Sequence, residues 1–395
     1  MTGLLEDAQR LLEARIGLVR SMERGSVVLS ARLAEAFVNV PRHPFVPVFY
    51  RRDGERFTPW RGSGPEAGAW LAQVYGDDSL VTEVDGVHAE DAGADGVAGV
   101  PTSSSTAPGL MADMLDALDV SPGARVLEIG TGTGYNAALL CVLAGPEAVT
   151  TVDRSERLTS VARDRLAALG LFPAVRCGDG AEGAPGEEPF DRIVATCSVR
   201  RVPWTWIDQC ASGGLMVVPL KGTLAGGMIA RLQKLPDGTA AGRLMHTPAA
   251  FMPLLSGPEM DSKIPEPADG THRDSVLSGS VLDDWTFSFF AQMHMTATTV
   301  RAYRSETDGR HVTTLYDPVD GSLTRVTDRE PGHGAGTATV FGSGPRDLWT
   351  PIEEAYQHWL GLHRPRREWF TVTATPEQQT VSYVTPDGRV LRWGL

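Results

Sequence analysis

The sequence predicts an α/β protein: a mostly parallel sheet covered on both faces, with a helical N-terminal segment before it and an additional C-terminal α+β domain after it. Three observations carry this. Between Arg125 and Leu220, short β-branched runs alternate with helical stripes, the order that crossover helices impose on a parallel sheet. Upstream, Leu5, Ala8, Leu12, Ile16 and Val19 recur at helical spacing. Beyond about Ser256 the pattern changes to hairpin signals.

In chain order, a second apolar stripe, Leu33 and Phe37, follows a candidate cap at Ser30 and stops at Pro41. Residues 1–75 are therefore expected as a helical N-terminal subdomain. The stretch from Gly54 to Val100 is rich in Gly, Asp and Ala with little periodicity, which predicts irregular structure, with 76–110 as a cover or active-site loop. Residues 111–256 then supply the strands "RVLEIG", "AVTTVD", "AVRC", "DRIVATCS" and "GLMVVPL". The helix "ERLTSVARDRLAALG" lies among them, its stripe Leu158, Val161, Ala162, Leu166 and Leu169 ending at Gly170. Residues 257–274, "GPEMDSKIPEPADG" and beyond, read as a linker. In 275–395 two Asp-Gly hairpins, "LYDPVDGSLTRV" and "SYVTPDGRVLRW", flank a helix striped by Trp349, Ile352, Tyr356 and Trp359.

Composition removes several function classes. With 42% hydrophobic and 22% charged residues the chain is an ordinary soluble type, and no apolar run is long enough to span a membrane. The opening "MTGLLEDAQR" places acids where a signal peptide has basic residues, so a cytoplasmic protein without membrane partners is expected. A net charge of -13 argues against gripping a nucleic-acid backbone. Cys141, Cys177, Cys197 and Cys210 form no CxxC pair and the histidines no HExxH motif, so no metal is expected and the cysteines read as buried small hydrophobes.

The strongest chemical signal is "VLEIGTGTGYN", a strand running into a glycine turn and then a helix. Such a turn brings backbone N–H groups close to a ligand, and by itself suits a dinucleotide equally well. Asp153 closes the next strand, placed to accept from two ribose hydroxyls, and Asp179 follows the third strand. Carboxylates repel a pyrophosphate but suit a sulfonium, which points to S-adenosyl-L-methionine. Its expected contacts are Ser103 and Ser104 upstream; Glu128, Gly130, Thr131, Gly132, Gly134 and Tyr135 at the turn; Asp153 and Arg154; and Asp179 with Gly180.

From about Val40 to Leu255 the chain resembles the protein-L-isoaspartate O-methyltransferases, through "VPRHPFVP", "STAPGLMADML", "VLEIGTGTGYNAALL", "CGDGAEGAPGEEPFDRIVAT", "VPWTWIDQCASGGLMVVPL" and "AFMPLLS". The resemblance implies a class I methyltransferase (Rossmann-like) fold and methyl transfer to an aspartyl-type carboxylate of a peptide, the ester then collapsing to a succinimide. The family's Thr-Ile-Ser-Ala-Pro signature falls on Ser104 to Pro108, so its active-site serine corresponds to Thr106; Ser105 and Thr106 are the expected catalytic hydroxyls. At "ATCSVRRVP" the chain departs from the family pattern, and Arg200 and Arg201 are candidate substrate-binding residues for acidic peptide side chains.

Ordinary repair enzymes of this family are little more than half as long. The added tail resembles that of actinobacterial methyltransferases encoded with ribosomally made peptides, above all graspetide (ATP-grasp maturase) systems, and also lanthipeptide and lasso systems. That resemblance implies a precursor peptide bearing a fixed Asp as partner, aspartimide or isoaspartate as product, and peptide recognition by the C-terminal domain. General repair of isoaspartyl proteins, and a non-catalytic peptide-binding protein retaining the fold, are the alternative readings.

Overall fold

The structure, a computed structural model, describes residues 2–25, 27–64, 66–222, 224, 227–255, 269–296, 298–305, 309–329 and 338–395. The chain forms two compact units. One comprises Met1–Cys197, Pro203–Val218 and Arg231–Gly238; the other comprises Ser198–Val202, Pro219–Ala230 and Thr239–Leu395.

The first unit opens with the helices Thr2–Arg24 and Ala31–Asn39. Ser30 caps the second by accepting from Leu33 N–H, which satisfies one of the orphan donors of a helix start. Of the expected first stripe, Leu12 is 41% exposed while Leu18, Val19 and Met22 are buried; the buried face lies nearer the helix end.

Residues 48–105, a span that includes the stretch Gly54–Val100 expected as irregular structure, instead form a six-stranded antiparallel sheet: Val87–His88, Leu80–Val84, Val48–Asp53, Arg56–Arg61 and Val97–Ala98 in order, with Pro101–Ser105 also paired to Leu80–Val84. Its strands are too short for a periodicity count to register. The turn chemistry is explicit nonetheless: Asp85 and Gly86 both take positive φ, 44° and 76°, between paired strands, as a two-residue hairpin turn requires. A core of Val48, Tyr50, Phe57, Val84, Ala89 and Ala92 holds one face. The loop expected over 76–110 therefore contains the strand Pro101–Ser105 and the start of the helix Pro108–Leu118.

The parallel sheet runs in the order Cys210–Leu220, Phe190–Ala195, Val126–Ile129, Val149–Asp153, Ala174–Cys177, the first pair joined through Cys210 and Leu215 to Val217. Strand order reverses at Val126–Ile129: the next two strands in sequence lie on one side of it and the later two on the other. That reversal opens a crevice at the carboxyl ends of the strands, where such sheets bind ligands.

The second unit holds an antiparallel ribbon, Ala240–Ala249, Phe370–Ala374, Gln379–Val384 and Val390–Gly394. It also holds a five-stranded antiparallel sheet ordered Thr271–Ser275, Ala338–Ser343, Leu323–Asp328, His311–Tyr316, Val300–Ser305. Of the expected linker, residues 257–268 lie outside the described residues, and the end of it enters the strand Thr271–Ser275. Helices Trp285–Gln292 and Thr350–Gly361 meet through Phe287 against Tyr356 and Trp359; Trp349, Ile352 and Trp359 are buried.

Candidate active site

The strand Val126–Ile129 ends in a turn whose glycines have a steric reason. Gly130 has φ 99°, and a Cβ there would lie 2.4 Å from Thr196 Oγ1. Thr196 follows the neighbouring strand and donates to the Gly130 carbonyl at 2.6 Å, so any side chain at 130 would push the two strand ends apart. Asp153 reaches back to the turn, with Oδ2 accepting from Gly132 N–H and Oδ1 from Ser155 N–H, both at 3.0 Å. Half-buried, it keeps further lone pairs for ligand hydroxyls. Thr131 is buried, its hydroxyl 2.7 Å from that of Thr151. Gly134 precedes the helix Tyr135–Ala144.

Glu128 corrects an expectation. It is fully buried, with Oε1 accepting from Asn136 at 2.7 Å and Oε2 from Thr151 at 2.6 Å. It braces the turn from behind and is sealed from the surface. Burial raises its pKa to about 7, against the pull of the two hydrogen bonds, with the Asp153 charge adding to the rise. Tyr135 is likewise core: it is 4% exposed and tilts against Phe37 and Phe45. Asp179 is exposed and caps the short turn Gly180–Glu182 through Ala181 N–H at 2.9 Å. Gly180 is buried, its carbonyl accepting from the Trp206 indole at 2.8 Å. Arg154 is exposed, and its carbonyl lies 3.6 Å from the sulfur of exposed Cys177, so that cysteine is no core hydrophobe.

The serine run is a strand, and alternation sorts its hydroxyls. Ser103 and Ser105 point inward, buried, whereas Ser104 and Thr106 are part-exposed. Ser103 Oγ accepts from Thr82 at 3.3 Å. Ser105 Oγ accepts from Arg42 at 3.3 Å. A Cβ on Gly132 would sit 3.7 Å from the Ser104 carbonyl oxygen, so this strand borders the glycine turn.

Arg42, which sequence reasoning did not single out, organises the other side. It is fully buried and donates to the carbonyls of Val74 (3.0 Å), Gly76 (3.1 Å), Asp78 (2.9 Å), Ser105 (3.2 Å) and Thr106 (3.1 Å). Burial lowers its pKa to about 10, with Tyr135, Asp77 and Asp78 opposing that shift. The loop it gathers then meets the helix Pro108–Leu118: Asp77 accepts from Gly109 N–H at 2.6 Å and Ser79 from Ala107 N–H at 3.0 Å. Arg200 and Arg201, by contrast, belong to the second unit.

A glycine turn at the reversal point of a parallel sheet, closed by a carboxylate from the next strand, is the site of a class I methyltransferase. Residues 93–259 match the sequence model of the family described as protein-L-isoaspartate(D-aspartate) O-methyltransferase. The protein-L-isoaspartate O-methyltransferase of Ignicoccus hospitalis is 31% identical over 246 residues, covering 62% of this chain and 98% of that one. That of Methanopyrus kandleri is 32% identical over 255 residues, covering 64% and 96%. A solved structure of a protein-L-isoaspartate O-methyltransferase aligns with TM-score 0.52 and 23% identity over 93% of this chain and 99% of its own, a likeness of fold.

The chain belongs to the protein-L-isoaspartate O-methyltransferase family. It is an S-adenosylmethionine-dependent protein carboxyl O-methyltransferase. The site fits that cofactor: Asp153 lies 3.0 Å from the Gly132 N–H, where it would repel a pyrophosphate and can accept from ribose hydroxyls. The Ignicoccus hospitalis and Methanopyrus kandleri relatives, matched over nearly their whole length, account for 62% and 64% of this chain, whereas the solved structure aligns over 93% of it. Among the described residues no group of three potential ligands is placed for a metal, and no helix is long and apolar enough to cross a membrane.

Proposed function

We propose that this enzyme esterifies the free carboxylate of L-isoaspartyl residues in damaged proteins and peptides. The observation that carries this reading is the approach of the Ser104 carbonyl to Gly132, which sets the hydroxyl strand beside the cofactor turn in a chain that covers 98% of a repair enzyme's length. S-adenosylmethionine, when bound, would supply an electrophilic methyl group. The accepting carboxylate is ionised near neutral pH and needs no general base, so the chain's task is to orient and to exclude water. Thr106 is the hydroxyl suited to donate to a carboxylate oxygen: it is part-exposed, and its own carbonyl is held by Arg42. Asp153 orients the ribose, and Gly130 and Gly132 let the ligand approach the backbone. In the ester, the following residue's backbone nitrogen attacks the carbonyl and methanol leaves, closing the imide without a further catalytic group.

The reading that this is a maturase acting on one graspetide-type precursor rested on the tail, and no feature of the site favours it. The deciding experiment compares methyl transfer to an isoaspartyl peptide, to its aspartyl isomer and to unrelated isoaspartyl sequences. Transfer to isoaspartyl peptides regardless of sequence is expected. Transfer to none of them would overturn the proposal.

A further inference from the structure

The junction that carries Thr106 is capped from elsewhere in the first unit. The helix Pro108–Leu118 starts at Ala107, which makes no side-chain cap hydrogen bond, and Pro108 has no N–H to offer. The free donors on either side of that proline, Ala107 N–H and Gly109 N–H, are met instead by Ser79 Oγ at 3.0 Å and Asp77 Oδ1 at 2.6 Å. Strand register explains the reach. Leu80 lies opposite Ser105 and Val81 opposite Ser104, so the antiparallel pair, continued past its end, brings residues 77–79 alongside 106–108. Side chains two residues apart on one segment, which share a face, then meet N–H groups two residues apart on the other.

The capping segment is itself tied down. Arg42 donates to the carbonyls of Gly76 at 3.1 Å and Asp78 at 2.9 Å, Gln73 donates to Asp78 Oδ2 at 2.9 Å, and Gly76 N–H donates to Gln73 O at 3.1 Å. The same guanidinium donates to the Thr106 carbonyl at 3.1 Å. The peptide unit joining Thr106 to Ala107 is thus clamped at both ends, its oxygen by Arg42 and its N–H by Ser79. Gly109 lets the second cap come close: a Cβ there would fall 2.5 Å from Asp77 Oδ2 and 3.0 Å from Oδ1. Both carboxylate oxygens therefore lie over the helix start, where the helix dipole favours negative charge. If stability alone were required, a Ser or Asp at 107 would cap the helix locally. Capping from residues 28 and 32 positions away adds a tie between two segments, and Thr106 sits at that tie.

We propose that Asp77 and Ser79 are positioning residues for methyl transfer: by capping the helix that follows Thr106, they hold its hydroxyl where it meets the accepting carboxylate. This rests on the proposed function and adds to it the residues that set the geometry of its hydroxyl. Neither side chain is assigned a contact with substrate or cofactor. Their effect is on orientation, to which a transfer that needs no general base is most sensitive.

The test is a double-variant cycle on the full chain with an isoaspartyl peptide. Asp77→Ala should lower kcat about fivefold, roughly the effect of one hydrogen bond, with peptide KM and S-adenosylmethionine affinity by calorimetry within about twofold of wild type. Gly109→Ala, which forces Asp77 away without removing a polar group, should do the same. Asp77→Asn keeps an oxygen for the Gly109 N–H and should recover most of the rate. In a Thr106→Val background Asp77→Ala should cost nothing further, because a residue acting through a hydroxyl has no effect once that hydroxyl is gone. Ser79→Ala should repeat the pattern with a smaller fall, and it carries the cycle if Asp77→Ala fails to bind S-adenosylmethionine. Additive losses in the double variant overturn the positioning role and leave Asp77 and Ser79 as structural caps. An Asp77→Asn enzyme as slow as Asp77→Ala, an unchanged kcat in both alanine variants, or a loss carried wholly in KM also overturns it. So does a normal rate in Thr106→Val beside a slow Asp77→Ala. All of these leave methylation of isoaspartyl peptides standing. A wild type that methylates no isoaspartyl peptide is the failure of the proposed function, and the positioning role falls with it.

Discussion

Arg42 in the first unit and Arg273 in the second are both multiply hydrogen-bonded arginines, and they are held in opposite ways. Arg273 sits in carboxylates: Glu353 accepts through both oxygens at 3.1 and 2.9 Å and Asp347 at 3.3 Å. Its pKa is raised, chiefly by the hydrogen-bonded Glu353. Arg42 is more deeply buried yet gathers five backbone carbonyls and no carboxylate, and its pKa is lowered to about 10 by that burial. Glu128, close by in sequence to the cofactor turn, repeats the pattern with the sign reversed: it is buried among neutral donors, and its pKa is raised to about 7 by burial. Under the proposed function, a structural acid paired to Arg42 would repel the accepting carboxylate. Neutral carbonyls and hydroxyls hold the charge without that cost. The second unit's network has no such restriction and uses ion pairs.

The largest expected effect comes from breaking the carbonyl cluster. Arg42→Met strands several buried acceptors and should cost about 3–5 kcal/mol in guanidinium unfolding. Arg273→Met, at a partly exposed ion pair, should cost about 1 kcal/mol or less. Equal losses would dissolve the contrast between the two units.

Glu128 gives a pH signature. Its folded pKa of about 7 lies above the unfolded value of about 4.3, so between these the native state binds more protons and stability falls as pH rises. The loss is on the order of 3 kcal/mol, complete once pH passes about 7. Urea titrations of the wild type at pH 5 and pH 8 should show this component, and Glu128→Gln should lack it; a variant with an unaltered pH slope would remove Glu128 as its source.

Smaller effects should separate the two hydroxyls of one strand. Thr106→Val should lower kcat about tenfold, the worth of one hydrogen bond at the transition state, with S-adenosylmethionine affinity retained. Ser105→Ala, which loses an Arg42 partner, should lower stability by about 1 kcal/mol instead and leave Thr106 to act. A kcat loss confined to Ser105→Ala would exchange their roles.

The parts legible in the sequence are those set by local geometry. The strand-turn-helix at Gly130 to Gly134, the hairpins at Asp320-Gly321 and Asp387-Gly388, and the cap at Ser30 each depend on residues within one turn of chain. The antiparallel sheet of residues 48–105 was missed although Asp85-Gly86 carries the same hairpin signal as those in the C-terminal part. Its strands of two to six residues are too short for periodicity, and the turn dipeptide alone has to be trusted. Arg42 had no signal at all, because nothing in "VPRHPFVP" says that the arginine will be buried.

Periodicity and turn chemistry act over a few residues, so sequence alone dictates the parallel sheet, its glycine turn and the Asp153 that answers it. Which acids and hydroxyls face a ligand was decided by assembly. Glu128 and Asp153 lie near the ends of adjacent strands, yet one is sealed beneath Asn136 and Thr151 while the other stays half-open at the turn. Ser105 and Thr106 are adjacent in sequence, but strand alternation and Arg42 turn one into the core and leave the other accessible. Burial and long-range hydrogen bonding depend on partners dozens of residues away, and those exist only once the chain is folded.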